Sequence, residues 1–248
     1  MKTSVYSYIS NAALAGRKLV ALLVDPDSFD DDITTRMSAE SGADLIFVGG
    51  SLLSGGDLER TISILKKFCS IPVVIFPGSI SQICPEADAI LNLCLISGRN
   101  PEFLIGQHVI AAPALKASGL EILPTGYMLI ESGRQTTASY ISGTTPLPHD
   151  KDDIAMCTAM AGEMLGLRMI YMDGGSGALN TVSDSMIHKV KKHVSVPLIV
   201  GGGIRDVATA LKICKAGADV IVIGNAAQDD TSLIKKITKA IHSIPQLQ

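Results

Sequence analysis

Gly42-Ala43-Asp44-Leu45-Ile46-Phe47-Val48-Gly49 and Gly217-Ala218-Asp219-Val220-Ile221-Val222-Ile223-Gly224 are two copies of one pattern in a chain of 248 residues. In each, a glycine ends a helical stretch, a continuous apolar run follows, and a second glycine stands where that run meets the next loop. A second pair, Ile71-Pro72-Val73-Val74-Ile75 and Val196-Pro197-Leu198-Ile199-Val200, repeats the same helix-to-strand junction. Short apolar runs without alternation mark strands buried on both faces, as in a parallel sheet.

Outward from these echoes, apolar runs recur at 18–24, 43–48, 72–76, 89–93, 122–130, 168–172, 197–200 and 218–223. Amphipathic stretches at 57–68, 101–116, 151–165, 184–193 and 207–216 lie between them. Repeated β-α units summing to eight favour a (β/α)8 TIM-type barrel over an open doubly wound sheet, with residues 1–248 forming one domain. Residues 77–88, with Gly78 and Pro85, are too short for a full helix and its turns, so an irregular segment replaces the helix between strands three and four. A second segment, 131–150, rich in Gly, Ser, Thr and Pro, reads as a mobile lid after strand five.

Composition excludes several classes. With 21 Lys and Arg against 24 Asp and Glu, no Trp, and only five Phe and five Tyr, the chain lacks the basic excess and stacking surface of a nucleic-acid binder. No run of about eighteen apolar residues offers a membrane span. The first residues lack the apolar core of a leader, which gives a cytoplasmic expectation. The five cysteines are odd in number, scattered and without a CxxC pair, as reduced thiols would be. The five histidines show no ligand spacing, so no zinc site is expected, and Lys191 and Lys192 read as a charged helix face.

In such a barrel the chemistry sits where the strands end. Strand one ends in Asp25-Pro26-Asp27, whose carboxylates can bind a hard cation such as Mg²⁺ or a substrate hydroxyl. The alternative for Asp27 or Ser28 is to cap the helix running through Ile33. Strand two ends in Gly49-Gly50-Ser51, which sets a hydroxyl beside those carboxylates. Strand six ends in Tyr171-Met172-Asp173-Gly174-Gly175-Ser176-Gly177, combining a phenol, a carboxylate and a glycine-rich anion nest. Strands seven and eight run into Gly201-Gly202-Gly203-Ile204-Arg205 and Gly224-Asn225-Ala226, where exposed backbone N–H groups and helix N-termini suit a phosphate.

Taken in order, these motifs resemble the geranylgeranylglyceryl phosphate synthase family over essentially the whole chain. Asn100-Pro101, Leu104-Ile105-Gly106, Pro124-Thr125-Gly126-Tyr127 and Pro146-Leu147-Pro148 extend the match. The resemblance implies a Mg²⁺-dependent prenyltransferase that joins the C3 hydroxyl of sn-glycerol 1-phosphate to geranylgeranyl diphosphate and releases diphosphate, forming the first ether link of archaeal-type lipids. By position it implies that Asp25 and Ser51 hold the metal. Tyr171, Met172, Asp173, Gly174, Gly175, Ser176, Gly177, Gly202, Gly203, Gly224 and Asn225 would bind glycerol phosphate. Asp173 would accept the hydroxyl proton, Tyr171 would orient the glycerol phosphate, and the apolar crossover around strands three to five would take the prenyl chain. A homo-oligomer, and contact with a membrane surface through the lipid product, are further implications.

The chain departs from the family at two places, with Asp173 where many members carry Glu and Ser28 where many carry Lys. Within the family the alternative donor is a heptaprenyl diphosphate. Other phosphate-handling barrels share the glycine turns, but an aldolase needs a strand-borne lysine and no strand interior supplies one. The alternative of another class is a non-catalytic phosphate-ligand binding barrel. Asp25 together with Asp173 argues against it, since holding a phosphate needs neither carboxylate.

Overall fold

The structure is a computed structural model that describes residues 4–224 and 231–245; Asn225 lies outside them. Eight parallel strands pair in sequence order: β1 (Leu19–Val24), β2 (Leu45–Val48), β3 (Val73–Ile75), β4 (Ala89–Leu95), β5 (Glu121–Leu129), β6 (Met169–Asp173), β7 (Leu198–Gly201) and β8 (Val220–Ile223). Closure comes from β8 pairing with β1, Leu19 opposite Val220 and Leu22 opposite Ile223. Both copies of the Gly-Ala-Asp pattern therefore feed strands that flank β1.

Alternation along each strand splits the apolar residues into two layers. Ala21, Leu45, Phe47, Leu91, Leu123 and Ile199 fill the barrel interior, whereas Val20, Leu22, Ile46, Val48, Ile170 and Val200 pack outward. The outer layer is covered by α2 (Ile33–Glu40), α3 (Leu58–Phe68), α4 (Gln107–Ser118), α6 (Asp152–Met164), α7 (Asp184–His193), α8 (Val207–Ala216) and α9 (Thr231–His242). A short α5 (Thr137–Ser142) follows β5, and a π-helical turn, Glu102–Gly106, leads into α4. No helix among the described residues is long and apolar enough to cross a membrane.

The expected gap between β3 and β4 is present, since residues 76–88 make only turns and bends. Three sequence expectations need correction. Residues 131–150 are not simply irregular: Thr136 and Ser139 form a capping box that starts α5, and Leu147 returns to pair with Ile130. Neither Asp27 nor Ser28 caps α2; Asp30 Oδ1 instead accepts from the N–H groups of Asp32 (3.0 Å) and Ile33 (2.7 Å). Lys191 is more than a solvated face residue, because it pairs with Asp219 at 2.6 Å.

The end of the barrel opposite the glycine turns is built for stability. α1 (Val5–Leu14) packs Val5, Ile9 and Ala12 against the interior cluster. Its start is held by Glu121, whose carboxylate accepts from Val5 N (2.6 Å), Tyr6 N (3.0 Å) and Ser4 Oγ (2.6 Å). That capping uses the N–H groups a helix start leaves unpaired. Three aspartates that precede even-numbered strands then brace their neighbours. Asp44 accepts from Val20 N at 2.9 Å, Asp88 from Val73 N at 2.8 Å and Asp219 from Leu198 N at 2.9 Å.

Each of these carboxylates also has a cationic or ring partner: Arg17 and His242 for Asp44, Lys66 for Asp88, and Lys18 with Lys191 for Asp219. A buried carboxylate so satisfied is costly to remove, because its lysines and strand N–H are left without it. Asp219→Ala is expected to lower unfolding stability by about 3–5 kcal/mol. Its effect on turnover should be small, since it lies at the stability face of the barrel. Denaturant unfolding alongside steady-state kinetics checks both.

Candidate active site

At the opposite rim the strand ends surround a cavity of about 330 Å³. It is lined by Gly175, Ser176, Gly177, Gly202, Gly203 and Gly224 after β6, β7 and β8, by Tyr127, Tyr171 and Asp173 of β5 and β6, and by Asp25, Gly50 and Ser51 after β1 and β2. It continues into an apolar arm between the β3–β4 crossover and α4, walled by Ile80, Ile83, Ile90, Leu93, Phe103 and Leu115. The gap left by the missing helix is therefore the space the arm occupies.

The glycine turns follow from backbone conformation. Gly202 sits at φ 89°, and a Cβ there would lie 2.8 Å from the backbone nitrogens of both Gly174 and Gly175. Only glycine permits that approach of the β6 and β7 loops, and Gly175 N is spent on the Asp173 carboxylate. Gly174 N is itself committed to Gly201 O at 3.0 Å, so Gly174 lies behind the nest rather than in its wall. Arg205 lines the same cavity and donates from Nη2 to Ala178 O at 2.6 Å.

Register explains the tyrosines of the cavity. Tyr127 of β5 pairs with Tyr171 of β6, and both point inward, while Met172 alternates to the other face and packs in the outer layer. Of the residues expected to contact glycerol phosphate, Met172 is thus the one whose side chain points away from the cavity. Phe76 stacks on Tyr171 (ring centroids 5.3 Å apart), and Tyr127 meets Tyr171 edge-on at 5.4 Å. Each such pair adds about 0.5–1.5 kcal/mol beyond area burial and gives the site a rigid aromatic floor.

Asp173 stands on this floor, only 6% exposed. Its Oδ2 accepts from the Tyr127 hydroxyl at 2.6 Å and its Oδ1 from Gly175 N at 2.7 Å. Burial raises its pKa above the ordinary aspartate value, and the two hydrogen bonds to the ionised form oppose that shift. The Tyr127 and Tyr171 phenols are pushed well above their usual range, by burial first and then by the nearby Asp173 charge. Tyr127 therefore stays protonated and acts as a donor. A fixed carboxylate with a raised pKa at the bottom of a pocket has the properties of a general base.

Across the cavity, Asp25 is half-buried, and burial again raises its pKa. Its Oδ1 accepts from Asp27 N at 3.0 Å and lies 3.2 Å from where a Cβ on Gly50 would stand. Gln82, 4% exposed, supports this side by donating from Nε2 to Gly50 O (3.2 Å) and accepting from Gly78 N (3.0 Å). Among the described residues no three His, Cys, Asp or Glu side chains gather as a metal cage. One carboxylate and one hydroxyl, Asp25 and Ser51, suit a hard cation that brings most of its own oxygen ligands on a phosphate or as water.

Asp27 does not face this pair as a second open carboxylate; its oxygens are occupied by the Ser54–Gly56 loop. The structure thus brings Asp25, Ser51, Tyr171, Asp173, Gly175, Ser176, Gly177, Gly202, Gly203 and Gly224 around one cavity. Tyr127 and Phe76 join them, with Gln82 bonded behind the lining residues Gly50 and Gly78, and sequence reasoning assigned none of the three a role in the site. Tyr127 was legible only as part of a strand motif. Its role depends on sitting opposite Tyr171, which requires the β5–β6 register.

Comparison with known proteins agrees with this fold. The chain is 53% identical over 246 residues to the geranylgeranylglyceryl phosphate synthase of Chitinophaga pinensis, covering 98% of both chains. It is 52% identical over 236 residues to the protein of the same name from Spirosoma linguale, covering 94% of this chain and 95% of that one. The crystal structure of (S)-3-O-geranylgeranylglyceryl phosphate synthase from Thermoplasma acidophilum, in complex with its substrate sn-glycerol-1-phosphate, superposes with a TM-score of 0.91. That chain is 30% identical, with 98% of this chain and 100% of that one covered. Residues 14–241 also match the PcrB family profile, and the chain belongs to the PcrB family.

Proposed function

We propose that this chain is a prenyltransferase that joins the C3 hydroxyl of sn-glycerol 1-phosphate to C1 of geranylgeranyl diphosphate through an ether bond and releases diphosphate. The observation that carries this reading is that one cavity is lined by the glycine turns, the buried Asp173, Asp25 and a set of apolar side chains. A phosphate, a hydroxyl, a second anionic group and a hydrocarbon chain each meet matching chemistry in that one cavity. The full-length similarity to geranylgeranylglyceryl phosphate synthases supports the same reading.

In the proposed reaction the nest and Arg205 hold the phosphate end of glycerol phosphate, and Tyr171 shapes the floor beneath it. That placement aims the C3 hydroxyl at Asp173. The glycerol oxygen bonds to the allylic C1 as the C1–O bond to diphosphate breaks, the electron pair leaving with diphosphate. The hydroxyl proton passes to the Asp173 carboxylate, which Tyr127 and Gly175 hold in place. Asp25 and Ser51 would hold Mg²⁺ on the diphosphate, and when bound the ion supplies charge neutralisation to the leaving group. The apolar arm keeps water from the reacting carbon and takes the prenyl chain.

The direct test is incubation with Mg²⁺, geranylgeranyl diphosphate and either sn-glycerol 1-phosphate or its 3-phosphate enantiomer. Prenyl ether detected by mass from the 1-phosphate alone is the expected result. No ether from either would exclude this function.

Asp173→Asn should still bind glycerol phosphate but lose about 10²–10⁴-fold in kcat, the usual share of a general base. Because Asp173 accepts the proton only when ionised, activity falls as pH drops through its raised pKa. The acid limb of the kcat/KM profile should thus lie above the range of an exposed aspartate. Tyr127→Phe removes a bond that favours the ionised form, so it should move that limb further up in pH.

Gly202→Val forces a side chain into the backbone of Gly174 and Gly175. It should weaken glycerol phosphate binding by more than about tenfold in calorimetry while the far-UV circular dichroism stays that of the barrel.

A further inference from the structure

The carboxylate of Asp27 is exposed yet fully engaged. Its Oδ1 accepts from Gly55 N (3.0 Å) and Gly56 N (2.5 Å), and its Oδ2 from Ser54 N (2.8 Å) and Ser54 Oγ (2.8 Å). Three successive N–H groups converging on one carboxylate, with a hydroxyl added, hold its pKa well below the usual aspartate range. The donors all come from the loop after β2 and the acceptor from the turn after β1. The two loops also touch directly, since a Cβ on Gly56 would lie 2.3 Å from the Pro26 carbonyl carbon and 2.4 Å from Asp27 N.

This contact bridges the two loops that carry Asp25 and Ser51. The turn after β1 holds Asp25 by the Asp27 N–H to Asp25 Oδ1 bond, and the loop after β2 carries Ser51 three residues before Ser54. On its other side the β2 loop is held by Gln82 on Gly50. The Asp27 hydrogen bonds tie Ser54–Gly56 to the β1 turn, adding to the Gly49 N–H to Val24 O bond (3.1 Å) that joins the two strand ends.

We infer that Asp27 is a positioning residue for the diphosphate half of the site: a clamp that fixes Asp25 against Ser51 rather than a third ligand to the cation. This rests on the proposed function, because it presumes that Asp25 and Ser51 meet a Mg²⁺-bound diphosphate. It also divides the Asp-Pro-Asp triplet by task, the first carboxylate facing the cavity and the second facing the neighbouring loop.

Two variants of the full-length protein open the clamp by different routes. Asp27→Ala removes the acceptor, and Gly56→Ala pushes the loops apart while leaving the Asp27 carboxylate in place. Inorganic diphosphate with Mg²⁺ is the binding probe, read by calorimetry beside sn-glycerol 1-phosphate. In both variants the affinity for Mg²⁺-diphosphate, and KM for geranylgeranyl diphosphate, should weaken by about tenfold or more, with glycerol phosphate affinity kept within about twofold. Amide exchange at Ser54, Gly55 and Gly56 should quicken by about tenfold in the same variants.

Loss of diphosphate affinity in Asp27→Ala with wild-type affinity in Gly56→Ala would overturn the clamp in favour of a direct ligand role. Equal weakening for both substrates would reduce Asp27 to general structural support, and wild-type affinity in both variants would leave it no role in the site. A wild-type protein that binds no Mg²⁺-diphosphate and forms no ether removes the functional reading and the clamp together. An active wild type with unaffected variants removes the clamp alone.

Discussion

Pairing of Leu19–Leu22 with Val220–Ile223 closes the sheet, and every other feature of the molecule depends on that closure. A closed parallel barrel leaves no sheet edge and sends all strand C-termini to one rim. Residues distant in sequence, such as Asp25 and Asp173, can then line one cavity with no further device to bring them together. At the opposite rim the same closure lets Asp44, Asp88 and Asp219 serve one purpose, each accepting an N–H from the preceding strand. Stability and chemistry are thereby placed at opposite ends, and substitutions at either end can be separated by what they change.

The barrel is symmetric in its strands but not in its cover. Where β3 passes to β4 without a helix, the wall thins and the cavity extends sideways against α4. One pocket thus combines the glycine turns after β6, β7 and β8, a buried carboxylate, a half-buried carboxylate and apolar side chains. Asp173 is tuned by its position in this pocket. Burial raises its pKa, whereas the Tyr127 hydroxyl and Gly175 N–H return part of the stabilisation its charge loses. The Tyr127 bond fixes where the Asp173 carboxylate stands.

The two aspartates of Asp25-Pro26-Asp27 show how adjacent residues of one type part company through their surroundings. Asp25 loses solvation toward the cavity and gains one N–H; Asp27 stays at the surface and gains three N–H groups and a hydroxyl. Their pKa values move in opposite directions for that reason. The first is left with acceptor capacity toward the cavity, and the second has spent its own on the neighbouring loop.

Local sequence determined a good deal of this protein. The repeated Gly-Ala-Asp junctions, the eight apolar runs and the short 77–88 connection dictate a barrel with one helix missing, because strand burial and turn chemistry are properties of neighbouring residues. The glycine turns after strands six to eight read as an anion nest on the same ground, and Gly175, Gly177, Gly202, Gly203 and Gly224 line one cavity, with Asn225 falling outside the described residues. Other features were decided only by tertiary structure. The Tyr127–Asp173 bond needs the register of β5 on β6, the stacking of Phe76 on Tyr171 needs a closed interior, and the outward turn of Met172 needs the phase of β6. The plug made by α1, the helix inside 131–150 and the engagement of Asp27 by Ser54–Gly56 likewise depend on contacts between segments. A sequence pattern reports what a residue prefers, and only the packed chain sets which partner, tens of residues away, satisfies it.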